Sequence, residues 1–241
     1  MSVRINKDTG EVFLYGIVGD AWGEESFTSG DVIDALSKLG GKRAIIRINS
    51  PGGVADEGIA IYNAIKRYPA GADTVVDALA ASAASVIALA GDKRTTASGA
   101  RWMIHRALTV EVGNATQLRK TADTLDTYDS SIAEIYSKYM KNEQGHNLQK
   151  EQILQLMDAE TWFTSESSVS AGLATQLGEH SDVLPVVAAW FSNAPESLYN
   201  SQPEATKSEN SGKSQLARIK ARLLSLKANS IKKLDKSKKD L

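Results

Sequence analysis

The sequence predicts an α/β fold with a largely parallel sheet. Short apolar runs rich in β-forming residues alternate with amphipathic helical segments, and turn residues separate the two kinds of segment. The resulting order, β-α-β-α-β, requires crossover connections, which are typical of parallel strands. A chain of 241 residues with ordinary apolar and charged content is also long enough to bury one large core.

The alternation lies in the first half of the chain. A capping signal at 28–31 precedes the helical pattern DVIDALSKL, and a glycine pair at 40–41 ends it. The tetrapeptide SPGG at 50–53 is a tight turn by composition. We therefore expect strands at 11–18, 43–49, 73–79 and 101–107, and helices at 31–39, at 55–67 and over the stretch 78–91.

A long amphipathic helix is predicted over 116–141, because apolar side chains recur there every three to four residues. Core packing explains this stripe, and the helix is also long enough to reach another subunit. Shorter helices are expected at 150–157 and 165–172.

Two further segments follow a body that we place at residues 1–190. Residues 191–215 are polar, unpatterned and rich in Ser, Asn and Glu, which is typical of a linker. Residues 216–241 form a basic amphipathic tail. From Glu204 onward there are 11 Lys/Arg against 4 Asp/Glu, so this end of the chain carries a net charge of +7 and the remainder −8. Nucleic-acid binding by the tail is disfavoured because it contains no aromatic residue.

Composition excludes several kinds of site. The chain has no cysteine, which removes disulfides, thiolate nucleophiles and Cys-based metal sites, and its three histidines lack metal-ligand spacing. No stretch resembles a signal peptide or reaches the roughly 20 apolar residues that span a bilayer. A triplet at 212–214 that resembles the end of a phosphate-binding loop lacks the required earlier glycine. We expect a cytoplasmic protein with no cofactor, no membrane contact and no ATPase of its own.

Three short segments contain candidate chemistry. The glycines at 50–53 leave backbone N–H groups uncovered, which suits an oxyanion, although a plain strand-to-helix turn also fits. Ser82 is predicted in the first turn of a helix, where free N–H groups favour an anion, and Ser85 lies one turn deeper. A closely packed Ala/Ser helix is the alternative there. His105 ends an apolar strand, where it is either structural or a base for a serine.

The three segments in combination resemble the ClpP family of serine peptidases, the proteolytic subunits of Clp protease. INSPGG at 48–53, Ala-Ala-Ser at 80–82 and Met-Ile-His at 103–105 occur in this order and at matching intervals. The pattern SPGGxxxxGxAIYN extends the resemblance, which covers roughly residues 10–180. It implies a ClpP/crotonase-like α/β fold of repeated β-β-α units with a protruding long helix.

The resemblance also implies roles for individual residues. Ser82 corresponds to the nucleophile and His105 to its general base. The backbone N–H groups of Gly53 and Ala83 correspond to the pair that holds the oxyanion. Ser85 is then a small packing residue.

One position departs from the family pattern. The family commonly has an aspartate that orients the histidine, and that position here is Thr161. A threonine hydroxyl accepts a hydrogen bond but does not balance the charge of an imidazolium. Three possibilities stay open: a slow Ser-His dyad, a substitute carboxylate such as Asp158 or Glu160, and completion of the site by assembly or by a partner.

The linker and basic tail resemble those of ClpP-like peptidases encoded by tailed phages and prophages. This implies a ring-forming homo-oligomer that cuts scaffold and capsid proteins during prohead maturation, in the bacterial host cytoplasm or inside the prohead. One alternative is a general cytoplasmic Clp-type subunit that degrades protein and peptide substrates with a separate ATPase unfoldase. Another is a catalytically weak or inactive assembly component. A crotonase-type acyl-CoA enzyme is disfavoured, because those enzymes place carboxylates where this chain has a serine and a histidine.

Overall fold

The computed structural model describes residues 3–20 and 25–183, together with residues 191, 193 and 195. Residues 1–187 form one compact unit. Apart from the three isolated residues, the predicted linker at 191–215 and the predicted tail at 216–241 lie outside the described residues.

Within the described residues the chain forms ten strands and six helices. The strands are β1 (Val3–Asn6), β2 (Glu11–Tyr15), β3 (Ile17–Val18), β4 (Ser26–Phe27), β5 (Ala44–Ser50), β6 (Ala72–Ala81), β7 (Arg94–Ser98), β8 (Arg101–Ile104), β9 (Thr161–Thr164) and β10 (Gln176–His180). The helices are α1 (Ser29–Ser37), α2 (Ala55–Lys66), α3 (Ala83–Ala88), α4 (Ala115–Ser137), α5 (Lys150–Asp158) and α6 (Ser165–Ser170).

The main sheet is mostly parallel, which confirms the predicted fold class. Its order is β1-β2-β5-β6-β7-β10, and β2, β5, β6, β7 and β10 pair in parallel. The strand β1 is antiparallel to β2, and β3 and β4 form a separate two-stranded sheet. The helices between successive parallel strands supply the crossovers that the alternation predicted.

The strand β6 has two successive partners on one side. Residues 74–76 pair with β7, and residues 79–81 pair with β8, which is also parallel to β6. The strand β9 then pairs with β8 in the antiparallel sense. As a result the carboxyl ends of β5, β6 and β8 lie side by side, and the candidate residues of the sequence follow these three ends.

Helix starts agree with the capping signals. Thr28 caps α1 through a capping box with Asp31, and Asn114 caps α4 through one with Gln117. The short helix α3 is buried at all six of its positions, so it forms part of the core instead of an amphipathic surface helix. Core packing joins α1 to α2, α2 to α3, and α3 to α4.

Some predicted boundaries are wrong. The stretch 78–91 was expected to be helical, but β6 continues to Ala81 and the helix begins only at Ala83. The predicted strand at 11–18 is interrupted at Gly16, whose φ is +110° and where a Cβ would lie 2.3 Å from the carbonyl oxygen of Glu25. The strand expected over 101–107 ends at Ile104.

The long helix is four residues shorter at its carboxyl end than predicted, since it ends at Ser137. Its first half is largely exposed and includes Leu118. Five of the strands, β1, β4, β7, β9 and β10, were not predicted at all.

Candidate active site

Ser82 stands at a sharp turn between β6 and α3. Its backbone has φ 54° and ψ −128°, and Ser82 and Glu160 are the two non-glycine residues with positive φ in the described part of the chain. Its N–H donates to the carbonyl oxygen of Met103 on β8 at 2.9 Å. Such backbone strain persists only where surrounding structure enforces it, and it concentrates at functional sites.

The imidazole of His105 lies against the Ser82 hydroxyl. Its Nε2 atom is 2.8 Å from Ser82 Oγ. The parallel pairing of β6 and β8 produces this contact, because Ala81 pairs with Met103 and each candidate residue follows its strand end closely. The two residues that the sequence singled out are therefore within hydrogen-bond reach, which is the geometry that a nucleophile and its base require.

Burial lowers the pKa of His105 below its ordinary value of 6.5. The negative charges of Glu160 and then Asp129 act in the opposite direction and raise that pKa, but burial is the larger effect. The imidazole is therefore neutral at pH 7. A neutral imidazole accepts a proton, so His105 is in the form that a general base needs.

The glycine turn at 50–53 lies directly beside Ser82. Gly52 has φ +91°, and a Cβ at this position would lie 2.6 Å from Ser82 Cβ and 2.6 Å from the carbonyl oxygen of Ala81. The N–H of Gly52 donates to Ser50 Oγ at 3.1 Å, which holds the turn. Glycine at 52 is thus required both by the backbone conformation and by the close approach to Ser82.

The backbone N–H groups of Gly53 and Ala83 are the two that the sequence singled out for an oxyanion. A parallel bridge joins Val18 to Gly53, and it uses the carbonyl of Gly52 and the N–H of Val54. The N–H of Gly53 lies between these two and takes no part in the bridge. Ala83 is the first residue of α3, and the first N–H groups of a helix have no partner within it. The arrangement can stabilise negative charge beside Ser82.

The side chain of Ser85 is buried, and its hydroxyl has two hydrogen-bond partners. Its Oγ donates to the carbonyl oxygen of Ser82 at 2.6 Å and hydrogen-bonds the phenol oxygen of Tyr136 on α4 at 2.6 Å. The sequence predicted a packing residue here. The structure shows a hydrogen-bonded link between α4 and the backbone of Ser82.

The three candidates for orienting His105 have different surroundings. The Thr161 hydroxyl donates to the carbonyl oxygen of Leu156 at 2.6 Å. The exposed carboxylate of Asp158 forms a bidentate pair with Arg106, at 2.8 and 2.9 Å. Glu160 is half-buried and accepts a hydrogen bond at Oε1 from the indole nitrogen of Trp162, at 3.2 Å.

Neither a metal-binding cluster nor a membrane-spanning helix occurs in the part of the chain that the structure describes. No group of three or more His, Asp or Glu side chains there is arranged to hold a metal ion. The helices of the described residues are also too short or too polar to cross a bilayer.

Comparison with known proteins identifies the family. The family model described as Clp protease matches residues 11–181, well over half of the chain. The chain belongs to the Clp protease family. As a member of that family it is a protease of the ClpP type.

Similarity to individual members of the Clp protease family extends over most of the chain. It is 29% identical over 180 residues to the ATP-dependent Clp protease proteolytic subunit 2 of Treponema denticola, covering 74% of this chain and 86% of that protein. It is 30% identical over 169 residues to proteolytic subunit 3 of Rhodococcus jostii, covering 69% and 79%. A solved ClpP1 mutant from Listeria monocytogenes matches with a TM-score of 0.60 at 24% identity, covering 73% of this chain and 95% of that one. That likeness shows a shared fold.

Sequence reasoning did not identify the ion pair between Asp129 and Arg106, the residue that follows His105. Asp129 on α4 is buried, and its carboxylate accepts from the N–H of Ala107 at 2.7 Å and from Arg106 at 3.2 Å. It therefore fixes the segment that follows His105. The available signal was an acidic residue on the apolar stripe of α4, four residues after Leu125 and three before Ile132.

Proposed function

We propose that this member of the Clp protease family is a serine endopeptidase in which Ser82 is the nucleophile and His105 the general base. The 2.8 Å contact between His105 Nε2 and Ser82 Oγ carries this proposal. The strained backbone at Ser82 and the lowered pKa of His105 support it, because both favour an accessible hydroxyl beside a neutral base.

The hydrolysis proceeds in two halves. Ser82 Oγ attacks the carbonyl carbon of a peptide bond while its proton passes to His105 Nε2. The carbonyl oxygen becomes an oxyanion, which the N–H groups of Gly53 and Ala83 stabilise. The intermediate collapses when His105 gives the proton to the leaving amine, which leaves an acyl group on Ser82. Water then attacks the acyl-enzyme by the same route in reverse, and the carboxylic acid product departs.

The substrate class that this site fits is a polypeptide. The curated relatives are named as proteolytic subunits of an ATP-dependent Clp protease. By analogy we propose that this chain assembles with copies of itself into rings and cuts protein substrates. In its general form, this proposal has the chain degrade proteins together with a separate ATPase.

Prohead maturation is a second and narrower candidate. The sequence of the linker at 191–215 and of the basic tail at 216–241 favours it, since a net charge of +7 from Glu204 onward suits docking to an acidic scaffold protein. It predicts that removal of residues 192–241 abolishes co-sedimentation with scaffold or capsid protein and leaves peptide hydrolysis unchanged. Equal co-sedimentation of both forms would eliminate this role.

The remaining candidates differ from the peptidase in their chemistry. A crotonase-type enzyme acts on acyl-CoA through carboxylates, and the residue beside the proposed oxyanion site here is a serine in contact with a histidine. An inactive assembly component needs no reactive serine. Reactivity of Ser82 therefore separates the peptidase from both.

Labelling with a fluorophosphonate probe tests the proposal directly. We expect the full-length protein to incorporate one probe per chain, mapped by mass spectrometry to Ser82, and to hydrolyse a fluorogenic peptide. Ser82→Ala and His105→Ala are expected to lose both activities. Absence of label from Ser82 in the assembled full-length protein would overturn the peptidase function.

A further inference from the structure

We propose that Glu160 is the residue that positions His105, at the place in this site where the family pattern has an aspartate and this chain has Thr161. The proposal rests on the serine peptidase function, because it assigns a role to Glu160 only through His105. Three features of the structure support it: the position of Glu160 at the end of the β8–β9 ladder, the hydrogen bond that Trp162 donates to its carboxylate, and the partners of the other carboxylates.

The β8–β9 ladder ends directly beside His105 and Glu160. In the antiparallel ladder of β8 and β9, Arg101 pairs with Thr164 and Ile104 pairs with Thr161. His105 and Glu160 are the next residues of the two segments beyond this last pair, so their backbones lie close together.

Thr161 is the last residue of the ladder to be paired, and its hydroxyl has another partner. Thr161 lies opposite Ile104, whose side chain is fully buried in the core, and side chains alternate between faces along a strand. Its hydroxyl donates to the carbonyl of Leu156 in the last turn of α5. The Thr161 hydroxyl is therefore engaged at the junction between α5 and β9.

Glu160 lies in the turn that leads from α5 into β9. Its φ is +48°, the left-handed conformation in which many helices end, and it directly follows Ala159, the C-cap of α5. Ser82 is the other non-glycine residue with positive φ in the described part of the chain. The indole of Trp162 holds Oε1 of Glu160 at 3.2 Å, so the carboxylate has a fixed orientation.

The other nearby carboxylates have other partners. Asp158 is exposed and accepts from Nε and Nη2 of the Arg106 guanidinium. Asp129 accepts from Ala107 and from Arg106, and thus holds the chain after His105. Glu160 and Asp129 are the two negative charges that favour protonation of His105, and the effect of Glu160 is the larger. A carboxylate with this effect stabilises the imidazolium that forms when Ser82 gives up its proton.

Conservative substitutions test the proposal. Glu160→Gln keeps the shape and removes the charge, so we expect kcat to fall about 10²–10⁴-fold with KM changed by less than about threefold. The acid limb of the kcat/KM profile should also move to lower pH, since a charge that raises the pKa of His105 is lost. Glu160→Asp keeps the charge on a shorter chain and should restore part of the rate.

Three variants serve as comparisons. Thr161→Val and Asp158→Asn remove the two competing candidates, and Glu151→Gln repeats the chemical change at an exposed site on α5. Each should retain kcat within about threefold and leave the pH profile in place. Circular dichroism and thermal unfolding of every variant would identify any loss of rate that reflects unfolding.

The outcome is decisive in either direction. If Glu160→Gln keeps wild-type kcat and pH profile while Ser82 of the wild-type protein is labelled by the fluorophosphonate, the proposal for Glu160 is wrong and the peptidase function stands. A rate loss in Thr161→Val as large as in Glu160→Gln, with no shift of the acid limb in either, would likewise overturn it. Failure of the wild-type protein itself to label at Ser82 would instead remove the function on which the proposal rests.

Discussion

The hydroxyl oxygen of Ser85 lies 2.6 Å from the phenol oxygen of Tyr136, which is 51 residues later in the chain. The Ser85 proton is donated to the carbonyl of Ser82, so Tyr136 donates to Ser85. Both side chains are buried, and burial raises the pKa of the Tyr136 phenol far above its ordinary value of 10.0. The tyrosine therefore stays protonated, and α4 remains tied to the turn that presents Ser82 at any moderate pH.

This arrangement predicts different consequences for the two serines of the stretch 78–91. Ser82→Ala should reduce peptide hydrolysis by at least about 10³-fold without a measurable loss of stability. Ser85→Ala removes a buried hydrogen-bond link and should cost about 1–3 kcal/mol of unfolding free energy, with a smaller loss of rate. Urea denaturation and hydrolysis of a fluorogenic peptide measure the two effects. Loss of all turnover in Ser85→Ala alone, with folding intact, would contradict the assignment of the nucleophile.

The close approach of Gly52 to Ser82 predicts a large effect from a single methyl group. In Gly52→Ala the new Cβ would lie 2.6 Å from Ser82 Cβ, so the turn and the nucleophile must both move. We expect a loss of kcat/KM of at least about 10²-fold, because a misplacement of about 1 Å at the reacting centre has that cost.

Gly99→Ala is the matched control for this prediction. Gly99 also has positive φ, at +85°, but no atom lies within 4 Å of the position its Cβ would take. The control should lose about 1–2 kcal/mol of stability from backbone strain and keep its activity. Equal activities of the two variants would show that contact with Ser82 is unimportant.

The lowered pKa of His105 predicts the pH dependence. The acid limb of kcat/KM should have an apparent pKa below 6.5, with full activity at pH 7. Between the folded-state pKa and 6.5 the unfolded chain binds a proton at this residue that the folded chain does not. The contribution of His105 to stability is therefore complete above that value and is lost as the pH falls through the folded-state pKa. A kcat/KM profile measured from pH 4 to 8 tests this, and an acid limb at or above 6.5 would refute it.

The two carboxylates bound to Arg106 should contribute unequally to stability. Asp129 is buried and also accepts from the backbone N–H of Ala107, so Asp129→Ala should cost about 2–3 kcal/mol. Asp158 is exposed, and Asp158→Ala should have a much smaller effect. Urea unfolding curves compare the pair. A loss in Asp158→Ala as large as in Asp129→Ala would mean that the surface half of the network is the stronger.

The sequence predicted the parts of the fold that depend on local pattern. Helices with caps and apolar periodicity were placed within a few residues, and the alternation of elements predicted the parallel sheet. The stretch 78–91 was misread because alanine-rich segments have no periodicity to separate a buried strand from a helix. The boundary between β6 and α3 is set by the positive φ at Ser82, and the presence of a serine in the sequence does not predict that conformation.

The site was predictable where motif order was informative and less so where distant residues meet. Ser82 and His105 were named from motifs, and the structure brings them into contact. Asp129 was not named, because its partners Arg106 and Ala107 come from a segment more than 20 residues earlier. The sequence alone did not decide between Glu160 and Thr161, because the β8–β9 ladder that ends beside them pairs two strands about 60 residues apart.

The left-handed backbone at Glu160 bears on how related sequences are compared. If Glu160 has the role that we propose, a negative charge has moved by one residue along the chain while its destination in space has stayed the same. A column-by-column comparison would then score threonine against aspartate at 161 and count this protein among those that have lost a triad. Screening for a carboxylate at either of two adjacent positions, followed by an aromatic residue, would recover such enzymes from among those classed as inactive.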